Sequence, residues 1–187
     1  MNIMIVGVGG QGTLLASRIL GNIVIEEGYD VKVSEVHGMS QRGGSVVTYV
    51  KFGEKVYSPI IDKGEADIIL AFEMLEAYRA LPYLKKGGKI IVNDQEMNPM
   101  PVIIGAMEYP KNIKEKLANT VNLEVVEALK LANLAGNIKT VNVVLIGVLA
   151  KSTNIKYEKW IEILKSTVPS KLLDVNLKAF DLGYNLK

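Results

Sequence analysis

Two stretches of the sequence carry residue types spaced for chemistry. The first is Gly7-Val8-Gly9-Gly10-Gln11-Gly12, directly after an apolar run at Asn2–Val6. Glycine at positions 7, 9 and 12 lets a phosphate approach the backbone, and the free N–H groups of a following helix then hold it. Glu35 falls roughly 20 residues further on, where a dinucleotide binder keeps the carboxylate that meets its ribose. A helix packed tightly on its strand accounts for the same glycines without any ligand. Gln11 is large and polar for a generic turn position.

The second stretch, Glu35-Val36-His37-Gly38-Met39-Ser40-Gln41-Arg42-Gly43-Gly44, is followed by Ser45. It packs His37, Ser40, Gln41 and Arg42 among three glycines. Arginine is a fixed fork for phosphate or carboxylate, and the glycines expose backbone donors. The plainer alternative is a surface loop whose Arg42 pairs with a nearby carboxylate such as Glu35. A helix-free loop this dense in hydrogen-bonding groups favours function. Other residues are weaker candidates. His37 has no recognisable catalytic partner, Ser40 and Ser45 have no triad, and Asp62, Glu65, Asp67 and Glu73 are not spaced as a metal set. Trp160 is core or an interface anchor. Asn142 is a helix cap or a polar group facing the crevice. Met97–Pro101 is a partner surface or soft packing.

The elements that must position these residues follow from periodicity. Asn2–Val6 reads as a strand, the glycine turn opens a helix carrying Leu15, Ile19 and Ile23 that stops at Gly28, and Asp30–Glu35 reads as a second strand. This is a βαβ unit with parallel strands and a right-handed crossover. Ser45–Phe52 alternates, Gly53-Glu54 turns, and Lys55–Ser58 returns, which predicts a β-hairpin inserted where the next helix is due and counts against NAD. Ala66–Phe72 reads as a buried parallel strand. A helix is expected over Glu73–Leu84, a turn over Lys85–Gly88 and a strand over Lys89–Asn93. Asn98–Pro101 must be extended or turning, because residues before proline avoid the α region. Helices are predicted over Leu123–Ala135 with a stop at Gly136-Asn137, then over Thr140–Lys151, Tyr157–Thr167 and Lys171–Leu182. The expected fold is α/β: a Rossmann-like, mostly parallel sheet with an inserted β-hairpin and a helical C-terminal half, in one domain over residues 1–187. Both chemical loops lie beyond carboxyl ends of strands, the edge where open α/β sheets bind ligands, so they should face one crevice.

Composition narrows the function classes. Net charge is +2, too small for a nucleic-acid binder driven by bulk charge. With no cysteine, the chain offers no disulfide framework, thiolate nucleophile or Cys-held iron–sulfur cluster, and its single histidine, His37, leaves no multi-histidine metal site. Redox work would need a bound organic cofactor or another chain. The start Met1-Asn2-Ile3-Met4 shows no basic stretch before its apolar run, and the longest apolar run, around Val143–Ala150, is about half of a bilayer span. The expectation is a soluble cytoplasmic protein with no membrane and no nucleic-acid partner.

Taken together, Gly7–Gly12, the His37–Gly44 loop running into Ser45-Val46, Ala66-Asp67 before an apolar strand, Asn142–Gly147 and Asn176–Gly183 resemble the gamma subunit or domain of 2-oxoacid:ferredoxin oxidoreductases. The full His-Gly-Met-Ser-Gln-Arg-Gly-Gly form looks most like the small beta subunits of that family's indolepyruvate branch. The resemblance implies oxidative decarboxylation of an arylpyruvate on thiamine diphosphate, transfer of the acyl group to coenzyme A, and two electrons to ferredoxin through iron–sulfur clusters. The chain has no Gly-Asp-Gly with a downstream Asn-Asn pair for magnesium and diphosphate. The resemblance therefore implies a large alpha subunit that carries the thiamine diphosphate, magnesium and clusters, with ferredoxin as acceptor, in aromatic amino acid catabolism. No catalytic residue and no metal ligand is carried over. The expected ligand or partner contacts are Gly7, Gly9, Gly10, Gln11, Gly12, His37, Ser40, Gln41, Arg42, Gly43 and Gly44. The alternatives are a stand-alone NAD(P)- or flavin-binding protein and a scaffold subunit with no ligand.

Overall fold

A computed structural model describes residues 1–38 and 43–186. Among them a six-stranded sheet runs in the order β2-β3-β1-β4-β5-β6. The strands are β1 (Asn2–Val8), β2 (Asp30–His37), β3 (Ser45–Gly53), β4 (Ala66–Ala71), β5 (Leu84–Asn93) and β6 (Asn122–Val126). The pairs β1–β4, β4–β5 and β5–β6 are parallel, whereas β3 runs antiparallel to both β1 and β2. This is the Rossmann-like, mostly parallel sheet expected from the sequence.

The predicted hairpin of Ser45–Phe52 with Lys55–Ser58 does not form, although β3 is inserted into the sheet as an antiparallel strand. Lys55–Ser58 forms no strand; the partner of β3 is β2, paired from Asp30 opposite Gly53 to His37 opposite Val46. A β-branched strand is satisfied by any free edge, and the long contact with β2 and β1 outcompetes a short return. The consequence is that β1 and β2 run in the same direction but are not neighbours, since β3 lies between them. The predicted turn at Lys85–Gly88 is absorbed into β5 as an irregularity, where the register on β4 shifts between Ala66 and Ile68. The helix predicted over Leu123–Ala135 is instead β6 followed by α5 (Ala128–Ala135). Val125, Leu129 and Ala132 keep helical spacing, which hid a short edge strand.

Two apolar layers cover the sheet. α1 (Thr13–Glu26), α6 (Val141–Ala150), α7 (Tyr157–Thr167) and α8 (Leu173–Tyr184) bury one face with Ile3, Ile5, Val50, Leu70 and Ile91. α2 (Met74–Ala80) and α4 (Ile113–Ala118) bury the other with Met4, Val6, Ile69, Ile90 and Val92. Between β5 and α4 lies the one-turn α3 (Met100–Ile103), led in by Pro99 in an extended conformation. α6 is buried from Asn142 to Ala150, and α8 crosses it at contact distance. A Cβ on Gly147 would collide with the Phe180 carbonyl oxygen, and one on Gly183 with the Val144 carbonyl oxygen. Trp160 is buried in this layer, stacked on Phe180, and its indole N–H has no acceptor among the described residues. No helix of the described residues is long and apolar enough to cross a membrane.

Candidate functional site

The glycine turn leaves β1 at its carboxyl end and runs into α1. Gly10 (φ 102°) and Gly12 (φ 85°) adopt the left-handed conformation that favours glycine. Gly12 also abuts Asn142, whose Nδ2 lies 2.6 Å from where a Cβ would sit, and that Nδ2 donates to the Gly12 carbonyl at 3.2 Å. Asn142 therefore does not cap α6 but ties it to the turn. The Gln11 side chain folds back: its Oε1 accepts from the Val8 N–H at 2.8 Å, and its Nε2 reaches the Phe72 carbonyl at 3.2 Å, Gln95 Oε1 at 3.4 Å and Met97 Sδ at 3.5 Å. Gly7 has no side chain because Gln11 lies against it, 2.8 Å from a would-be Cβ. Gln11 thus fills the gap between the ends of β1 and β4. That gap is where the sheet's connections change direction and where dinucleotides cross in open α/β sheets.

The two chemical loops touch directly. The Gly9 N–H donates to the Gly44 carbonyl at 2.8 Å, and the Gly43 N–H donates to the Gly9 carbonyl at 3.4 Å. Ser40, Gln41 and Arg42 lie outside the described residues. His37 is exposed at the end of β2, its Nδ1 3.1 Å from the Gly38 carbonyl. Glu35, on the same face as His37, accepts from Thr48 Oγ1 at 3.1 Å.

Three pockets meet around this junction. On the α1 side, a pocket of about 410 Å³ is lined by Gly9, Thr13, Leu14, Glu35, His37 and Val46. On the α2 side, one of about 470 Å³ is lined by Gly43, Gly44, Ser45, Glu76, Arg79 and Met100. Toward α5 and α6, one of about 610 Å³ is lined by Gly10, Gln11, Gln95, Leu129, Ile138 and Lys139.

The α2-side pocket rests on two buried carboxylates, Glu73, which the sequence reading weighed only as a metal ligand, and Glu76, which it did not single out. Glu73 caps α2 by accepting from the Glu76 N–H at 2.9 Å. Its other oxygen accepts from the Met97 N–H at 3.0 Å and the Tyr109 hydroxyl at 2.9 Å. One carboxylate therefore pins both feet of the segment that carries α3. Burial, then the hydrogen bond to Glu73, push the Tyr109 phenol well above its ordinary value. Glu76 accepts from Ser45 Oγ at 2.5 Å and from Arg79 at 2.6 Å, which links the start of β3 to α2. The available signal was the Glu73-x-x-Glu76 spacing directly after a strand with no charged residue beyond Asp67. The pinned segment exposes Met100, Ile103, Ile104 and Met107 at 64–69 %.

An open, mostly parallel sheet with a glycine turn and pockets at its carboxyl edge defines a Rossmann-like α/β fold. A profile of the family described as pyruvate ferredoxin/flavodoxin oxidoreductase matches residues 2–186, and the chain belongs to that family. It is 48 % identical to the indolepyruvate oxidoreductase subunit IorB of Pyrococcus horikoshii, over 97 % of this chain and 93 % of the relative. The IorB subunit of Thermococcus kodakarensis is 46 % identical over the same shares. In fold, the chain resembles the keto/oxoacid ferredoxin oxidoreductase gamma subunit of Geobacter sulfurreducens (TM-score 0.72, 24 % identity), covering 98 % of this chain and 95 % of that one. It also overlays 30 % of the 2-oxoglutarate:ferredoxin oxidoreductase chain of Magnetococcus marinus, covering 98 % of its own length, with a TM-score of 0.70 and 18 % identity.

Proposed function

We propose that this chain, acting as one gamma-type domain over residues 1–187, is the small subunit of a ferredoxin-linked 2-oxoacid oxidoreductase that takes indolepyruvate or a related arylpyruvate. The observation that carries the reading is near-50 % identity to an indolepyruvate oxidoreductase subunit along almost the whole length of both chains. The complex would convert an arylpyruvate to an aryl-acetyl-coenzyme A, with two electrons leaving to ferredoxin in the cytoplasm. This chain does not fit the role of cofactor carrier for the electron path, since it has no cysteine to ligate a cluster. Thiamine diphosphate, magnesium and the clusters then belong to a large alpha subunit.

What the chain supplies in this reading is surface. The glycine turn (Gly7, Gly9, Gly10, Gln11, Gly12) and the loop with His37, Ser40, Gln41, Arg42, Gly43 and Gly44 contact a ligand or the large subunit. The exposed Met100, Ile103, Ile104 and Met107 support a partner surface, because a row of apolar side chains held out by a rigid anchor favours burial by another chain.

The test is co-expression with a large alpha subunit of the same family. The isolated chain should be colourless and inactive with indolepyruvate, coenzyme A and an acceptor, and the pair brown and active. Turnover or a bound cluster without the partner overturns the reading. In the reconstituted pair, Arg42→Lys should lower activity or subunit affinity about 10- to 150-fold, because the bidentate fork is lost. A lower melting temperature with normal turnover would make Arg42 a structural residue.

A further inference from the structure

We infer that residues 97–107 and the pocket beneath them seat a segment of the large subunit that brings an apolar side chain with a carboxylate beside it. The apolar group enters the pocket on the α2 side, and the carboxylate meets Arg79. This rests on the subunit reading and adds to it where the partner sits and what chemistry it presents. Four observations carry it.

The first is a charge-free surface. Residues 97–107 hold no charged side chain. Met100, Ile103, Ile104 and Met107 stand out of this stretch, each more than half exposed. Apolar side chains clustered this densely on a surface mark a site of protein contact. The two thioethers adapt to an irregular partner surface.

The second is that the row is held still. The Pro99 carbonyl accepts from the Val102 and Ile103 N–H groups at 2.9 and 3.1 Å. The Pro101 carbonyl accepts from the Ala106 and Met107 N–H groups at 2.9 and 3.1 Å. Glu73 fixes the two feet through Met97 and Tyr109. A surface already ordered gives up little conformational entropy when a partner covers it.

The third is a recess for an anchoring side chain. The pocket of about 470 Å³ opens between this segment and α2, with Val8, Leu75, Met97, Pro99, Met100 and Ile103 as its apolar wall. That volume has room for one large side chain. An aromatic or branched side chain seated in a well-packed recess is the usual energetic centre of a protein interface.

The fourth is the sign of the charge at the rim. Arg79 lines the same pocket and donates from Nη1 to Glu76 at 2.6 Å. Its other donors have no partner among the described residues. The Arg79 side chain is 50 % exposed and that of Glu76 only 5 %, so the face turned to a partner is cationic and suits a carboxylate. A second copy of this chain meeting the pocket face to face would bring no free carboxylate from its own pocket. Glu73 and Glu76 are buried there and already accept from Met97, Tyr109, Ser45 and Arg79. The complementary charge is thus expected on a different chain.

The test is the affinity of the co-expressed pair, this full chain with a large alpha subunit of the same family, read by dissociation on dilution in the analytical ultracentrifuge. Ile104→Asp should weaken the pair at least about 30-fold, because it puts a charge into the apolar row. Arg79→Gln should weaken it about 10-fold and remove most of its salt dependence, and Arg79→Lys should restore part of both. Ile25→Asp, at an exposed apolar site on the last turn of α1, should bind as the parent does. The Ile104 and Ile25 variants should melt with the parent, because both positions are more than half exposed. If the parent pair forms and Ile104→Asp binds as tightly, the inference fails and the subunit reading stands. The same holds if Arg79→Gln leaves both affinity and salt dependence unchanged. If the isolated chain dimerises and Ile104→Asp makes it monomeric, the face belongs to a second copy and the inference is overturned. If the parent chain forms no pair at all, both readings fail.

Discussion

Glycine serves opposite purposes in two regions of this chain. Where α6 crosses α8, Gly147 and Gly183 have ordinary helical backbones and no room: an added methyl would strike a carbonyl of the facing helix. At the turn after β1, Gly10 has a left-handed backbone and nothing within 4 Å of where its Cβ would be. The first pair is required by packing, the second by conformation. A glycine enclosed on all sides reports on the core, and a glycine surrounded by space reports on what approaches it.

That contrast orders a series of substitutions. Gly183→Ala should be the most damaging, because the clash is with helix backbone that no side-chain rotation relieves. A loss of about 3 kcal/mol or more is expected, at or beyond the upper end for overpacked cores, read by urea unfolding. Little soluble protein at 37 °C would agree with it; a near-neutral effect would mean that the two helices slide apart freely. Glu73→Ala should cost about 2–3 kcal/mol, as it removes a helix cap and leaves the Met97 N–H and Tyr109 hydroxyl without their acceptor. Hydrogen exchange should speed up over residues 95–109 and leave the α6–α8 seam protected. Gly10→Ala should cost only about 1–2 kcal/mol, the strain of a left-handed alanine. An effect as large as that of Gly183→Ala would erase the distinction between the two kinds of glycine.

The smallest effect concerns pH and lies between α7 and α8. The Tyr157 hydroxyl donates to Asp181, and this bond, with burial second, pushes its phenol up to about 12. Its folded value is above the ordinary value near 10. The stabilisation is therefore complete below pH ~10 and is lost as pH rises from there toward 12. Tyr157→Phe should flatten the fall in melting temperature over that interval and leave the curve near neutrality nearly parallel to the parent. A parent curve with no decline above pH 10 would mean that the Tyr157–Asp181 bond does not persist in solution.

Long periodic segments were legible in the sequence, as α7 shows by occupying Tyr157–Thr167 as expected. The glycine turn was legible for the same reason: its signal is local, a strand, a tight turn and a helix in succession. What the sequence did not reveal depended on partners far along the chain. β3 alternates in the same way whether it pairs with residues 55–58 or with β2, and only the assembled sheet decides between them. β6 is too short to outweigh the helix that follows it. The roles of Glu73 and Glu76 were not legible because their partners, Met97, Tyr109, Ser45 and Arg79, are brought to them only by the fold. The helix-permitting glycines sat in motifs quoted for their resemblance, and their physical reason appeared only when the helices were placed against each other.

The indole of Trp160 has one more use. It is the only tryptophan of the chain, fully buried, stacked on Phe180, and without a hydrogen-bond acceptor among the described residues. An indole so shielded from polar relaxation emits at the blue end of its range and shifts red when water reaches it. Trp160 lines none of the three pockets around the glycine turn. Intrinsic fluorescence of the unmodified chain is thus an optical gauge of the helical layer alone, able to separate loss of packing from events at the sheet's carboxyl edge without any label.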